Sequence, residues 1–157
     1  MNGNLRIRPS TKDDARLLFD WRNDEDTRAM SGDTVPLVWE SHLEWFIKIL
    51  SGGSPGRFVY IVETAEGEPV GTVRSDERPD GFTEVSYTVA PEWRGKGVGK
   101  RMMLQFAKEK LAGKKLTARI KKGMNPASEA IARSLGLQPF SETLSDDPIQ
   151  PPVVEWR

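Results

Sequence analysis

Three glycines at alternate positions, Gly95, Gly97 and Gly99, follow the run Tyr87-Thr88-Val89-Ala90-Pro91-Glu92-Trp93-Arg94. The run reads as a strand stopped by a proline, and the glycines open a helix. Glycine adopts positive φ without steric cost and lets a ligand approach the backbone closely. Successive N–H groups can then converge on one anion, reinforced by the positive end of the helix dipole. Arg94, Lys96, Lys100 and Arg101 add positive charge around the same point. The chemistry of such a segment is phosphate binding, and its extent suits a pyrophosphate. A P-loop needs Gly-Lys followed by Ser or Thr, whereas Gly97 follows Lys96 and Arg101 follows Lys100. A dinucleotide fingerprint needs a further glycine where Met102 stands, and a leading βαβ unit that is absent here. A glycine-rich turn with solvated charges would not require strand, proline, basic residue and helix in this order.

The elements that must position this segment follow from periodicity. Leu5-Arg6-Ile7-Arg8 alternates as a half-buried strand. Thr11 and Asp14 read as a cap for a helix from about Lys12 to Asn23, with Leu17, Leu18 and Trp21 on one face. The stretch from Asp24 to Pro36 lacks periodicity and reads as loop with at most a helical turn. Trp39, Leu43, Phe46 and Leu50 recur at helical spacing before Ser51-Gly52-Gly53. Phe58 to Val62 is a strand apolar enough to be buried on both faces. Turns at Glu66-Gly67 and Pro79-Asp80-Gly81 join it to Pro69–Val73 and Glu84–Val89 as an antiparallel meander. A helix then runs to about Ala112, a strand covers Leu116 to Ile120, and a short helix spans Pro126 to Ser134. Leu137–Leu144 and Val153–Trp156 are two closing strands. Lys114, Lys115, Lys121 and Lys122 flank a strand and read as solvated. One α+β domain, residues 1–157, accounts for the chain.

Composition narrows the function classes. Lys plus Arg and Asp plus Glu both number 23, so net charge is zero and neither nucleic acid nor an anionic membrane is an expected partner. Without cysteine there is no disulfide, thiolate metal site or Cys nucleophile, and a single histidine, His42, argues against a His-built metal site or a Ser-His-Asp triad unless it is the triad base. No metal is therefore expected. No apolar run reaches the roughly 20 residues of a membrane span. The opening Met1-Asn2-Gly3-Asn4-Leu5-Arg6 lacks the apolar stretch of a secretory signal, which makes a cytoplasmic location the expectation.

The pattern Arg94-x-x-Gly97-x-Gly99, preceded by Val89-Ala90-Pro91, resembles the phosphate-binding motif of the GNAT superfamily of N-acetyltransferases. Asn125-Pro126-Ala127-Ser128, followed by Leu135-Gly136-Leu137, is similar to a second family element. Element order agrees over almost the whole chain. The resemblance implies a GNAT-like mixed, mostly antiparallel central sheet of about seven strands flanked by four helices. It implies acetyl-CoA as co-substrate, with the backbone of Gly95, Lys96, Gly97, Val98, Gly99 and Lys100 on the pyrophosphate and Arg94 beside them. Tyr87, Thr88 and Val89 would hold the pantetheine arm through their main chain, and Asn125 and Ser128 would reach the same arm.

Acetyl transfer requires a neutral attacking amine, so a carboxylate near the acceptor must take a proton. Glu84 lies where many relatives carry a catalytic Glu, and is the candidate; a solvent-facing strand carboxylate is the competing reading. Backbone N–H groups near Val89 would polarise the thioester carbonyl. Many relatives carry a Tyr seven residues after the Asn to protonate the departing thiolate; here that position is Ala132. Tyr87, Ser128 or water would have to serve, and a non-catalytic acyl-CoA-binding module is the alternative. Trp21-Arg22-Asn23-Asp24, Arg28 and His42-Leu43-Glu44-Trp45-Phe46 resemble the branch that acetylates nucleotide-linked amino sugars, and also ribosomal-protein N-terminal acetyltransferases. Arg22, Asn23, Arg28 and His42 are thus candidate acceptor contacts, with Trp21, Trp39 and Phe46 more consistent with core. The expected partner is a small-molecule amine or a peptide N-terminus, and the expected assembly a monomer or homodimer.

Overall fold

The alternation at Leu5-Arg6-Ile7-Arg8 becomes a strand at the edge of the sheet, with Leu5 and Ile7 turned to the core. In the computed structural model, which describes residues 4–31 and 34–157, this is β1 (Leu5–Pro9). Met1–Gly3, the first half of the opening Met1–Arg6 stretch, and Gly32 and Asp33 of the expected loop lie outside the described residues. A 3-10 turn at Lys12–Asp14 leads into α1 (Ala15–Asn23), where a continuous helix from Lys12 is expected. The Thr11 N–H donates to Asp14 Oδ2 at 2.7 Å, as the cap reading requires. Then follow α2 (Glu25–Met30), α3 (Trp39–Leu50), β2 (Arg57–Thr64), β3 (Pro69–Glu77) and β4 (Phe82–Val89). The second half comprises α4 (Val98–Lys110), β5 (Lys115–Lys121), α5 (Pro126–Ser134), β6 (Pro139–Thr143) and β7 (Val153–Trp156).

The α2 helix is the departure from the expected four helices. It has six residues and buries none of them, so it carries no apolar period to read. Its start is capped: the Asp24 side chain accepts from Thr27 N at 3.1 Å.

The sheet order is β1-β2-β3-β4-β5-β7-β6, and every neighbouring pair is antiparallel except β4 with β5. Helices cover both faces. Leu5, Val62, Val85, Val98, Met102, Met103 and Phe106 form the core under α4. Leu18, Trp21, Phe46, Val59 and Ile61 form the core under α1 and α3, with Trp39 packed against it. Val59 and Ile61 face one layer and Tyr60 and Val62 the other, which is why β2 reads as continuously apolar. Gly71 lets α4 settle onto the sheet. A Cβ there would stand 2.5 Å from Thr88 O and 2.7 Å from Met102 Sδ.

Candidate active site at the split between two parallel strands

β4 and β5 pair only at their beginnings, Phe82–Glu84 against Lys115–Thr117, yet β4 continues to Val89 and β5 to Lys121. Past Glu84 the strands part. On its other edge β4 stays paired to β3, with Thr72 opposite Thr88 and Gly71 opposite Val89. Ala90 N donates to Val70 O at 2.8 Å. Amide directions alternate along a strand, so the main chain of Tyr87 and Val89 faces the open gap rather than β3. An extended ligand arm entering the gap would find strand-like hydrogen-bonding partners there.

The gap runs into the glycine loop. Gly95 and Gly97 both hold φ of 74°, the left-handed region in which residues with a Cβ are strained. Gly97 is the N-cap of α4 and supplies no side-chain cap, leaving the N–H groups of the first turn available to an anion. Gly99 has a different task. A Cβ there would be 3.1 Å from Tyr87 Cε2 and 3.3 Å from Val89 Cγ2, so its absence packs the start of α4 against β4. Lys96 and Lys100 are exposed beside the loop, with the Lys96 ammonium 5.2 Å from the Trp93 ring centroid. Val98 is buried in the core and anchors the turn.

Arg94, expected beside the phosphates, points its guanidinium elsewhere. Its Nη2 donates to Asp24 Oδ2 at 2.6 Å and to Thr27 Oγ1 at 3.0 Å, and its Nη1 to Asp26 Oδ2 at 3.4 Å. Burial pushes the Asp24 carboxyl up, but the hydrogen bonds from Arg94 and Thr27 outweigh it and hold the group below its ordinary value.

Tyr87 and Ser128 meet. The Tyr87 hydroxyl lies 2.7 Å from Ser128 Oγ, joining β4 to the first turn of α5. Burial raises the Tyr87 pKa, opposed by the Ser128 contact, so the phenol stays protonated at neutral pH. Asn125 is the N-cap of α5: its Oδ1 accepts from Ser128 N at 3.1 Å. Ala132 is 2% exposed and packs with Ile120, Leu137 and Trp156.

Glu84 lies on the sheet face turned to α1 and α3, at the last paired position before the split. Its side chain is 27% exposed, and Oε1 stands 3.7 Å from Arg78 Nη1. That contact is loose because Arg78 is engaged at 2.9 Å by Glu155 and at 2.6 Å by Asp80. Glu84 is therefore reachable from the face opposite α4. Thr88 shares that face, and Asp76 on β3 stands opposite Glu84.

Of the four candidate acceptor residues, Arg22 and Asn23 lie on α1, Arg28 on α2 and His42 on α3. His42 is buried among Phe19, Trp39, Trp45 and Phe46. Its Nε2–H donates to Ala15 O at 3.0 Å, which leaves Nδ1 to accept from Arg22 at 3.2 Å. Arg22 also sits 4.2 Å over the Trp45 ring. Asn23 Oδ1 accepts from Leu37 N at 2.8 Å, and Arg28 Nε donates to Asn23 O at 3.1 Å. The structure thus brings them together as a scaffold. One site neighbour goes unseen in sequence: Lys121, read as solvated, is 5% exposed. Its Nζ donates to Ala29 O and Gln150 Oε1, each at 3.0 Å, and burial lowers its pKa. Its place in a run with Lys122 hides this, since only the strand's parity turns it inward. Lys114 and Lys122 are exposed in pairs with Glu77 and Glu142, as expected of surface lysines.

Among the described residues no group of His, Asp or Glu could hold a metal ion, and no helix is long and apolar enough to cross a membrane. In solved structures the chain resembles a spermidine N-acetyltransferase from Vibrio cholerae in complex with CoA and spermine. That match has TM-score 0.81, 16% identity, and covers 98% of this chain and 94% of the other. A Salmonella typhimurium protein solved with its cofactor acetyl-CoA gives 0.77 at 21% identity, over 98% and 92%. A ribosomal-protein-alanine N-acetyltransferase from Brucella melitensis gives 0.77 at 26% identity, over 96% and 97%. No curated protein sequence matches significantly. Residues 4–138 match the family model described as the acetyltransferase (GNAT) domain, and with the split sheet and glycine loop in place the chain belongs to the GNAT acetyltransferase family.

Proposed function

We propose that this chain is an acetyl-CoA-dependent N-acetyltransferase that passes the acetyl group directly to a primary amine. The observation that carries the proposal is the open edge of β4 running into a glycine loop with an uncapped helix start. The fit to CoA is specific: a strand edge for the amide-containing arm, then loop and helix N–H groups for the pyrophosphate. CoA and acetyl-CoA in two of the similar structures support the donor.

The residues divide the proton chemistry between the two faces of the gap. The amine approaches from the α1–α3 side and attacks the thioester carbon, forming the C–N bond as the C–S bond breaks. Glu84, directly or through one water, takes the proton the amine loses. The N–H of Val89 faces the gap and is placed to stabilise developing charge on the carbonyl oxygen. Tyr87, on the α4 side, gives its phenolic proton to the departing thiolate, and Ser128 holds the hydroxyl in place. With no cysteine in the sequence there is no thiol to carry an acyl-enzyme, which favours transfer within a ternary complex.

Arg22, Asn23, Arg28 and His42 each have a partner within the protein, so their arrangement does not by itself favour a sugar nucleotide. A peptide N-terminus or a small polyamine, the acceptors named for the Brucella and Vibrio proteins, are the classes to test first. Thiol release from acetyl-CoA should rise with one of three probes: an Ala-initiated peptide, spermidine, or an amino-sugar nucleotide. Binding of acetyl-CoA without turnover on any amine would favour a non-catalytic acyl-CoA-binding module.

A further inference from the structure

The short helix α2 is held from both walls of the split, and its fastenings are cations belonging to the walls. At its N-terminal end, Arg94 of the glycine loop reaches Asp24, Thr27 and Asp26, 67 to 70 residues away in sequence. At its C-terminal end, the buried ammonium of Lys121, the last residue of β5, donates to Ala29 O. None of the α2 residues is buried, so apolar packing does not secure the helix. An exposed helix of six residues is far too short to persist alone in water.

We infer that Arg94 and Lys121 are positioning residues that strap α2 across the mouth of the β4–β5 gap. Arg94 thereby couples occupation of the glycine loop to the order of α2. The loop that carries Arg94 also carries the N–H groups assigned to the pyrophosphate, so a ligand that fixes Gly95 and Gly97 fixes the root of the Arg94 side chain. The coupling part rests on the proposed CoA site; the strap itself does not.

Hydrogen exchange over residues 25–30 tests both parts, measured in the intact protein with and without saturating acetyl-CoA, beside calorimetric acetyl-CoA affinities. Without ligand, Lys121→Met should speed exchange in α2 by about tenfold, for the loss of its one charge-assisted hydrogen bond to Ala29 O, and Arg94→Gln by at least about tenfold, since three contacts go. Acetyl-CoA should slow α2 exchange in the wild type and fail to do so in Arg94→Gln, while affinity stays within about threefold. If Lys121→Met does not fold, Asp24→Asn alone and combined with Arg94→Gln replaces it, and the two effects should be non-additive. Unchanged α2 exchange in Arg94→Gln overturns the strap. A large loss of acetyl-CoA affinity with α2 unaffected makes Arg94 a phosphate ligand instead. If the wild type binds acetyl-CoA and α2 exchange does not respond, the coupling is wrong. If it binds none, the proposed function fails while the ligand-free arms still judge the strap.

Discussion

The Tyr87 and Ser128 hydroxyls lie 2.7 Å apart, tying the open stretch of β4 to the first turn of α5. The position at which many family members carry a proton-donating Tyr is Ala132, which packs against Ile120, Leu137 and Trp156. The proposed donor thus lies on β4 rather than on α5. Tyr87→Phe should lower kcat by about 100-fold or more, the usual worth of a general acid, with acetyl-CoA affinity little changed. It should also remove the alkaline limb of the kcat–pH profile. Ser128→Ala should give a smaller fall. Unchanged kcat in Tyr87→Phe would assign the proton to water. Ala132→Tyr should destabilise the protein by overpacking rather than raise turnover, by roughly 1–3 kcal/mol in chemical denaturation.

Glu84→Gln keeps the shape of the side chain and removes the base. The expected result is a drop in kcat/KM of about 100-fold or more at neutral pH with an unchanged melting temperature. Arg78 retains Glu155 and Asp80, so the local structure has no reason to shift. Full activity would make Glu84 a surface carboxylate.

His42 predicts a pH dependence of stability. Burial lowers its pKa most, opposed by the bond to Ala15 O and aided by the Arg22 charge. In the fold it is neutral, accepting from Arg22. Unfolded, it takes up a proton below about 6.5, so the unfolded state binds more protons there and stability falls as pH drops through that value. Above it, His42 contributes no slope. Asp14, Asp24, Asp80 and Glu155, all lowered, lose their stabilising contribution only at more acidic pH, from the ordinary carboxylate range downward, where the unfolded chain takes up protons first. Urea unfolding at pH 7.5 and 5.5 should show a loss in the wild type that is reduced in His42→Gln; equal losses would contradict the assignment.

Two glycines separate binding from folding. Gly71→Ala drives a methyl into Thr88 O and Met102, and should cost at least about 1–3 kcal/mol in unfolding experiments. At Gly97 a Cβ meets nothing within 4 Å, so Gly97→Val costs only the left-handed backbone, about 1–2 kcal/mol. Its larger effect should be on acetyl-CoA affinity, through a side chain standing over the N–H groups. Equal affinity in titrations of the two proteins would remove the pyrophosphate assignment.

The glycine loop and the apolar periods were legible in sequence because their signals are local. Gly95, Gly97 and the proline before them declare a turn, and the alternation in β1 declares its face. What could not be read depends on contacts distant in sequence. Arg94 belongs to a phosphate motif by spacing, yet its partner Asp24 is 70 residues away. Lys121 looks like its neighbour Lys122 until the strand's parity is known. Arg22 and His42, 20 residues apart, resemble ligand contacts by type and are bonded to each other.

Calorimetric titration of acetyl-CoA into the intact protein tests the central claim most directly. Saturable binding at one site per chain, weakened by Gly97→Val and retained in Glu84→Gln, is the expected result. Absence of binding to the folded wild-type protein would contradict it, because the split strands and glycine loop would then lack the ligand their geometry implies.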